Sequence, residues 1–330
     1  VVQQVVCHRD DRPLPDTPTD LAEVDLQVTG ESSYVTRLED LSKTVPGLTF
    51  VADPSRSSEV LLTQVATGEV GCTVADSSMV RVVRRYWPHL EVAMNLDQVE
   101  SVGWYAAAGR SALAEATRHW RESGLGEVAI AAMRERYYVH IGEFDFVDLR
   151  ALNRRLDDRL PRYLDEFQQA SEETGLAVDL LAAMAYQESH WDPEATSPTG
   201  VRGIMMLTRP TAESLGVEDR LDPRESILGG ARYLADRRAR LPEDIPEPDR
   251  TYLALASYNL GRAHVLDARR LARELGRDPN SWAEMREVLP LKADKRYYPQ
   301  TKYGYARGYE SVHYVRRIRN YRDVIDQALP

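Results

Sequence analysis

The sequence predicts an α/β lobe followed by an all-helical domain. Length is the first observation: 330 residues exceed one ordinary domain of about 100–200 residues. The second is alternation of short apolar runs with helical stretches over the first ~105 residues. The third is the loss of strand signals after residue 148, where apolar spacings of three and four take over. A composition of 43% hydrophobic and 28% charged residues is that of an ordinary globular chain.

In the first part, Val1–Cys7, Val24–Thr29, Leu48–Ala52, Gly71–Ala75, Leu90–Met94 and Val102–Ala107 read as strands. Ser33–Thr44 and Ser57–Thr67 read as helices between them, which predicts a parallel-sheet layer. Two amphipathic helices follow, near Ser111–Glu122 and Leu125–Tyr137. The second part reads as helices over Leu149–Asp157, Arg162–Ser171, Val178–His190, Thr211–Leu215, Ile227–Arg240, Thr251–Leu260, Ala263–Leu275 and Val312–Gln327. Breakers such as Pro161, Gly175, Pro193, Pro210, Pro223 and Pro279 punctuate them. The boundary falls near residue 140, with Tyr138–Val147 as junction, giving domains 1–140 and 141–330.

The net charge is −10, which argues against nucleic acid as partner. The last 40 residues reverse the sign, with nine basic against four acidic side chains, and such a strip steers a polyanion or is simply a solvated face. No window reaches the ~18 uninterrupted apolar residues of a membrane helix. No spacing suggests a metal or cofactor site. VVQQVVCHRDDRP lacks a signal-peptide pattern and starts inside a strand, so the chain reads as processed or truncated. Cys7 and Cys72 form one disulfide or stay as two buried thiols, and the sequence leaves both open.

The most informative segment is Val178–Pro193. Leu181, Met184 and Ala185 share one helix face, and Glu188 continues it. Pro193 disfavours helix at Asp192, so Glu188 sits in the last turn facing the core. Burial and the negative helix end both raise its pKa, and an acid protonated near neutrality suits general-acid cleavage of a glycosidic bond. From spacing alone, Glu188 paired with an arginine or turned to solvent is an equal reading.

Glu188-Ser189, then Ser197-Pro-Thr-Gly200-Val-Arg-Gly203-Ile-Met-Met-Leu-Thr208, then Ala256-Ser-Tyr258-Asn259-Leu-Gly261, then Glu310-x-x-x-Tyr314-Val315 resemble the four successive motifs of the lytic transglycosylases, the goose-type-lysozyme-like family. The resemblance covers about residues 145–327 and is closest to the family's membrane-bound F group. It implies non-hydrolytic cleavage of the β-1,4 bond between N-acetylmuramic acid and N-acetylglucosamine in peptidoglycan, leaving a 1,6-anhydro sugar. Glu188 would act first as acid and then as base, so no second carboxylate is needed; Asp192 reads as a helix-end residue. A muramidase of the same fold and a non-catalytic wall-binding sensor are the alternatives.

By the same resemblance Ser189, Gly203, Met205, Met206, Tyr258, Asn259 and Tyr314 contact the glycan or the acid. Gly200 and Gly203 would let backbone approach a sugar. Met206 stands where many relatives carry Gln, and core packing is the plain reading for at least one of Met205 and Met206. Tyr314 would tune the acid's proton. The run Tyr297, Tyr298, Tyr303, Tyr305 and Tyr309 among basic residues reads as a glycan groove or as packing of an irregular segment.

Gly30-Glu31-Ser32-Ser33-Tyr34 before a helix, and Asp76 at a strand end, are similar to the second lobe of a periplasmic solute-binding domain, here incomplete. Ser32, Ser33 and Asp76 would then hold a muropeptide or amino-acid-like ligand, although the serines serve equally as helix caps. Resemblance alone suggests a periplasmic protein held peripherally at the outer membrane.

Overall fold

The computed structural model describes residues 1–10, 13–141 and 146–329. Of the expected junction, 142–145 lie outside the described residues. The chain forms two compact units, Val1–Glu127 with Ile141–Arg150, and Val128–His140 with Ala151–Pro330. It therefore passes between units more than once rather than at a single point near residue 140.

The first unit is built on β1 (Val2–His8), which lies between β4 (Cys72–Asp76) and β5 (Leu90–Val99) and is antiparallel to both. Among the described residues only β2 (Gln27–Thr29) and β3 (Val51–Asp53) pair as parallel strands, and one isolated parallel bridge links Leu26, just before β2, to Cys72. The expected parallel layer is thus only partly present. A fully buried strand reads the same whichever way its neighbours run, so the pattern could not distinguish the two. Alternate β1 residues feed two cores: Val5 and Cys7 pack with Val28, Leu38 and Val74, whereas Val6 packs with Leu62, Val65 and Val83. Helices α1 (Ser33–Ser42), α2 (Ser58–Thr67) and α3 (Ser77–Val83) complete these cores. The β-branched composition of α3 hides it from propensity; Val80 and Val83, one turn apart, bury it.

Cys7 and Cys72 face each other in the β1–β4 register and are disulfide-bonded. Closing a loop across 65 residues, this bond is worth about 2–5 kcal/mol. Val102–Ala107 is not a strand. It follows β5 as irregular chain with no strand beside it, leaving Trp104 and Tyr105 exposed. Helices α4 (Ser111–Glu122) and α5 (Gly124–Tyr137) form as expected, and α4 buries no residue.

Then come α6 (Phe146–Asp158), α7 (Leu164–Thr174), α8 (Val178–Ser189), α9 (Arg209–Leu215), α10 (Pro223–Ala239), α11 (Asp249–Leu260), α12 (Arg262–Glu274), α13 (Trp282–Val288) and α14 (Gly308–Ala328). The short α13 was not legible in the periodicity. Helix α8 is the centre of its unit, with every residue from Leu180 to Tyr186 buried. The expected single apolar stripe is therefore too narrow a description: neighbours cover α8 all round. It packs antiparallel to α14. Arg322 Nε donates to Asp179 Oδ2 (2.5 Å) at the start of α8, and Tyr314 lies against its end. Between these contacts the Tyr186 and Tyr321 rings meet edge-on at 4.7 Å, each leaning toward its own helix N-terminus.

Candidate active site

Helix α8 ends where Pro193 requires, and His190 and Trp191 take left-handed conformations at φ 54° and 57°. Such conformations cost of order 1–3 kcal/mol each in a non-glycine residue. Here they are held by packing. Trp191 is fully buried, its indole N–H donates to the Ala182 carbonyl (2.9 Å), and its ring meets Tyr186. Arg159 donates to the His190 carbonyl at 2.9 Å. The chain thus leaves α8 sharply, with Glu188 one residue before its end.

The second motif is a tight hairpin bridged at Thr196–Arg202 and Arg202–Leu207. Gly203 sits at φ +82°, and a Cβ there would lie 1.7 Å from the Arg220 carbonyl oxygen. Its smallness is therefore needed by the protein's own backbone. Gly200, at φ +83°, has open space around it, so its need is conformational only. Met205 is fully buried against Gly230, where a Cβ would come within 2.7 Å of it. Met206 is half-buried at φ 49°.

Three bonds tie this segment to the helices around it. Ser189 Oγ, at the tip of α8, lies 2.8 Å from the Ile204 carbonyl and 3.2 Å from the Ala185 carbonyl. Tyr258 OH, from α11, donates to the Met205 carbonyl at 2.9 Å. Buried Ser226, on α10, accepts the Met205 N–H at 3.3 Å. Ser189 also accepts the Asp192 N–H (3.2 Å), and Asp192 Oδ1 accepts the Glu194 N–H (3.1 Å), so Asp192 turns the chain.

Tyr314, from α14, donates its phenol proton to Glu188 Oε1 at 2.5 Å. Glu188 keeps some exposed surface as a residue, while protein crowds its carboxyl group. Burial pushes that carboxyl up to about 7, and the Tyr314 bond opposes the rise. Burial and the Glu188 charge push both Tyr258 and Tyr314 well above the ordinary phenol range, so both remain donors. A cleft of about 400 Å³ opens beside Tyr314, lined also by Gln187, Asn259, Tyr309 and Arg317.

The structure thus brings Glu188, Tyr258 and Tyr314 together and puts Asn259 on the cleft wall. Ser189, Gly203 and Met205 face the protein itself. Sequence reading missed Tyr233, whose ring supports Tyr258 at 5.1 Å, and it missed Ser226 and Gly230. The Gly229-Gly230 pair inside a helical pattern is the signal that marks such a close approach. Of the tyrosine run, Tyr309 reaches the cleft, and Tyr303 and Tyr305 are exposed. Buried Lys292 straps this segment down through Asp267 (3.0 Å), which also accepts the Tyr303 N–H at 2.7 Å.

Residues 165–280 match the Transglycosylase SLT domain. The protein named membrane-bound lytic murein transglycosylase F 2 of Alkalilimnicola ehrlichii is 64% identical over 328 residues, 99% of this chain and 73% of that protein. The chain belongs to the lytic transglycosylase family. Two further members of this family, F 1 of the same organism and F of Shewanella woodyi, are 46% and 43% identical over 99% and 98% of the chain. The chain spans 66% and 67% of their lengths, so it covers about two thirds of each. The 70 kDa soluble lytic transglycosylase of Escherichia coli overlaps more loosely, at 18% identity and a TM-score of 0.38 over 66% of this chain and 34% of its own.

In the first unit of this transglycosylase, Ser33 Oγ accepts from the Gln3 amide (3.0 Å), and Gln3 stands opposite Asp76 in the β1–β4 register. Ser32 Oγ instead donates to the Thr29 carbonyl at 2.6 Å. Tyr34 is held above its ordinary range by burial, with the nearby Asp76 charge adding to it. His8, Asp10 and His89 are the group of possible metal ligands among the described residues. The two imidazoles stack almost parallel, at 7° and 5.4 Å.

Proposed function

We propose that the chain is a peptidoglycan lytic transglycosylase that cleaves the bond between N-acetylmuramic acid and N-acetylglucosamine with Glu188 alone. The observation that carries this is the Glu188 carboxyl, raised to about 7 and held by a neutral phenol. Protonated near neutrality, Glu188 gives its proton to the glycosidic oxygen as the bond to C1 breaks. The resulting carboxylate takes the proton of the muramic C6 hydroxyl as that oxygen closes on C1. Proton and bonds balance, no water is consumed, and Glu188 returns to its starting state. Tyr314 steadies the carboxylate stage without adding a charge. The usual pair of carboxylates flanking a glycosidic bond is not needed, which accords with Asp192 being engaged in a turn.

Mass spectrometry of digested sacculi tests the chemistry. Products are expected to be lighter by one water than those of hydrolysis; products of hydrolytic mass would make the enzyme a muramidase. A non-catalytic sensor is disfavoured by the presence and burial of the acid.

We further assign sensing to the first unit, which holds most of residues 1–140, and catalysis to the second, which holds most of residues 141–330. The first unit would take muropeptide or amino-acid-like ligands near Ser33 and Asp76. Titration of the full chain with muropeptides should release heat and raise its melting temperature, and Asp76→Ala should remove both; no heat from the intact chain would end this reading. The Cys7–Cys72 bond suits an oxidising compartment and supports a periplasmic, outer-membrane-associated location. Among the described residues no helix is long and apolar enough to cross a membrane.

A further inference from the structure

The basic strip near the end of the sequence meets the active-site cleft at one residue. On α14, Glu310, Tyr314 and Arg317 share a face at spacings of four and three, and all three line the cleft. Their surroundings differ. Glu310 is answered by Arg307 at 3.1 Å. His313 Nδ1 meets Arg316 Nη2 at 2.9 Å. Arg317 is exposed and has no ion pair among the described residues, although it lies one turn from Tyr314, about 4.5 Å along the helix axis.

On the facing wall stands Gln187, the residue before the acid. Its Oε1 is buried and has no hydrogen-bond partner among the described residues. A buried acceptor without a donor is costly, and a ligand that brings an N–H removes the cost. An unpaired guanidinium in the same cleft matches a carboxylate, which its fork of N–H donors binds in two places.

We propose that Gln187 and Arg317 form a subsite that selects the muramoyl side of the glycan by its substituent. Gln187 Oε1 accepts an amide N–H, and Arg317 pairs with a carboxylate carried on the lactyl arm. This inference rests on the peptidoglycan reading. Of the two alternating sugars, only the muramoyl one carries both an amide and an anion; N-acetylglucosamine has the amide alone. The carboxylate has two sources: the lactyl group itself on peptide-stripped strands, and the stem peptide on substituted ones.

The test is steady-state kinetics of the full chain and its Arg317→Ala, Arg317→Lys and Gln187→Met variants on three substrates. These are peptide-bearing strands, peptide-stripped strands, and peptide-bearing strands whose carboxylates have been amidated with methylamine. Arg317→Ala should raise KM about tenfold on peptide-bearing strands with kcat within about twofold, and Arg317→Lys should recover most of the loss. On amidated strands the unmodified enzyme and Arg317→Ala should be indistinguishable. A KM rise on substituted strands only assigns the stem-peptide carboxylate, a rise on stripped strands only assigns the lactyl carboxylate, and a rise on both shows that Arg317 takes either. Gln187→Met should raise KM without lowering the melting temperature, which a merely structural glutamine would not do. Unchanged KM for both Arg317→Ala and Gln187→Met on every substrate overturns the subsite while leaving the enzyme active. An unmodified chain that releases no fragments would instead remove the peptidoglycan reading.

Discussion

Glu188→Gln is expected to lower kcat on peptidoglycan by about 10²–10⁴-fold or more while glycan binding survives. The amide keeps the shape of the side chain and its place beside Tyr314 but has no proton to lend. In the unmodified enzyme, activity should fall as pH rises through about 7, because the general acid ionises there. The same shift has a consequence for stability. Burial raises the folded-state pKa of Glu188 from 4.5 to about 7, so the folded protein holds this proton more tightly than the unfolded chain. Below about pH 4.5 both states are protonated and the group contributes no pH dependence. Between 4.5 and 7 the unfolded chain ionises first, and folded stability declines; above about 7 the decline is complete, at up to about 3 kcal/mol. Glu188→Gln escapes this loss, so its advantage in unfolding free energy, read from urea titrations, should grow from pH 4 to pH 8 on the order of that amount. Retained turnover would place the acid elsewhere, and a pH-independent difference in stability would show that the carboxyl is not buried.

Gly203→Ala carries the second large effect. The added methyl would sit 1.7 Å from the Arg220 carbonyl oxygen, on a backbone at φ +82°. Neither the carbonyl nor the turn can yield without moving Ile204 and Met205, whose own carbonyls receive Ser189 and Tyr258. Loss of more than about 3 kcal/mol of stability is expected, with a fall in kcat because the acid's support moves with the hairpin. Gly200→Ala is the control. It shares the positive φ but meets nothing within 4 Å, so it should cost only about 1–2 kcal/mol and leave kcat nearly unchanged. Urea unfolding and kinetics on the pair check this, and Gly203→Ala behaving as mildly as Gly200→Ala would contradict it.

The glycines were visible in the sequence, but their reason was not. The motif offers Gly203 as room for a sugar's approach; the crowding at its Cβ comes from Arg220, seventeen positions away. The acid was the reverse case. Its helix, its place in the last turn and its raised pKa follow from local rules: spacing, a proline three residues beyond the cap, and the cost of burying a charge. What those rules could not supply was how completely α8 is covered, since Leu180, Ala182 and Ala183 lie off the apolar stripe and are buried as well. Only packing against several helices shows that.

By itself, then, the chain determined the order and type of most elements, the ends of its helices, and the candidate acid, because these depend on neighbours within a few residues. Tertiary structure alone decided strand direction in the first unit, the Cys7–Cys72 pairing, and the convergence of Tyr258 and Tyr314 on Glu188. Tyr314 lies 126 residues from the carboxyl it serves, and no periodicity spans that distance. Such contacts arise from antiparallel packing of α8 on α14, whose register is set at the far end by Asp179 and Arg322. The physical reason is that hydrogen bonds and burial act through space, whereas sequence patterns report only what the backbone places nearby.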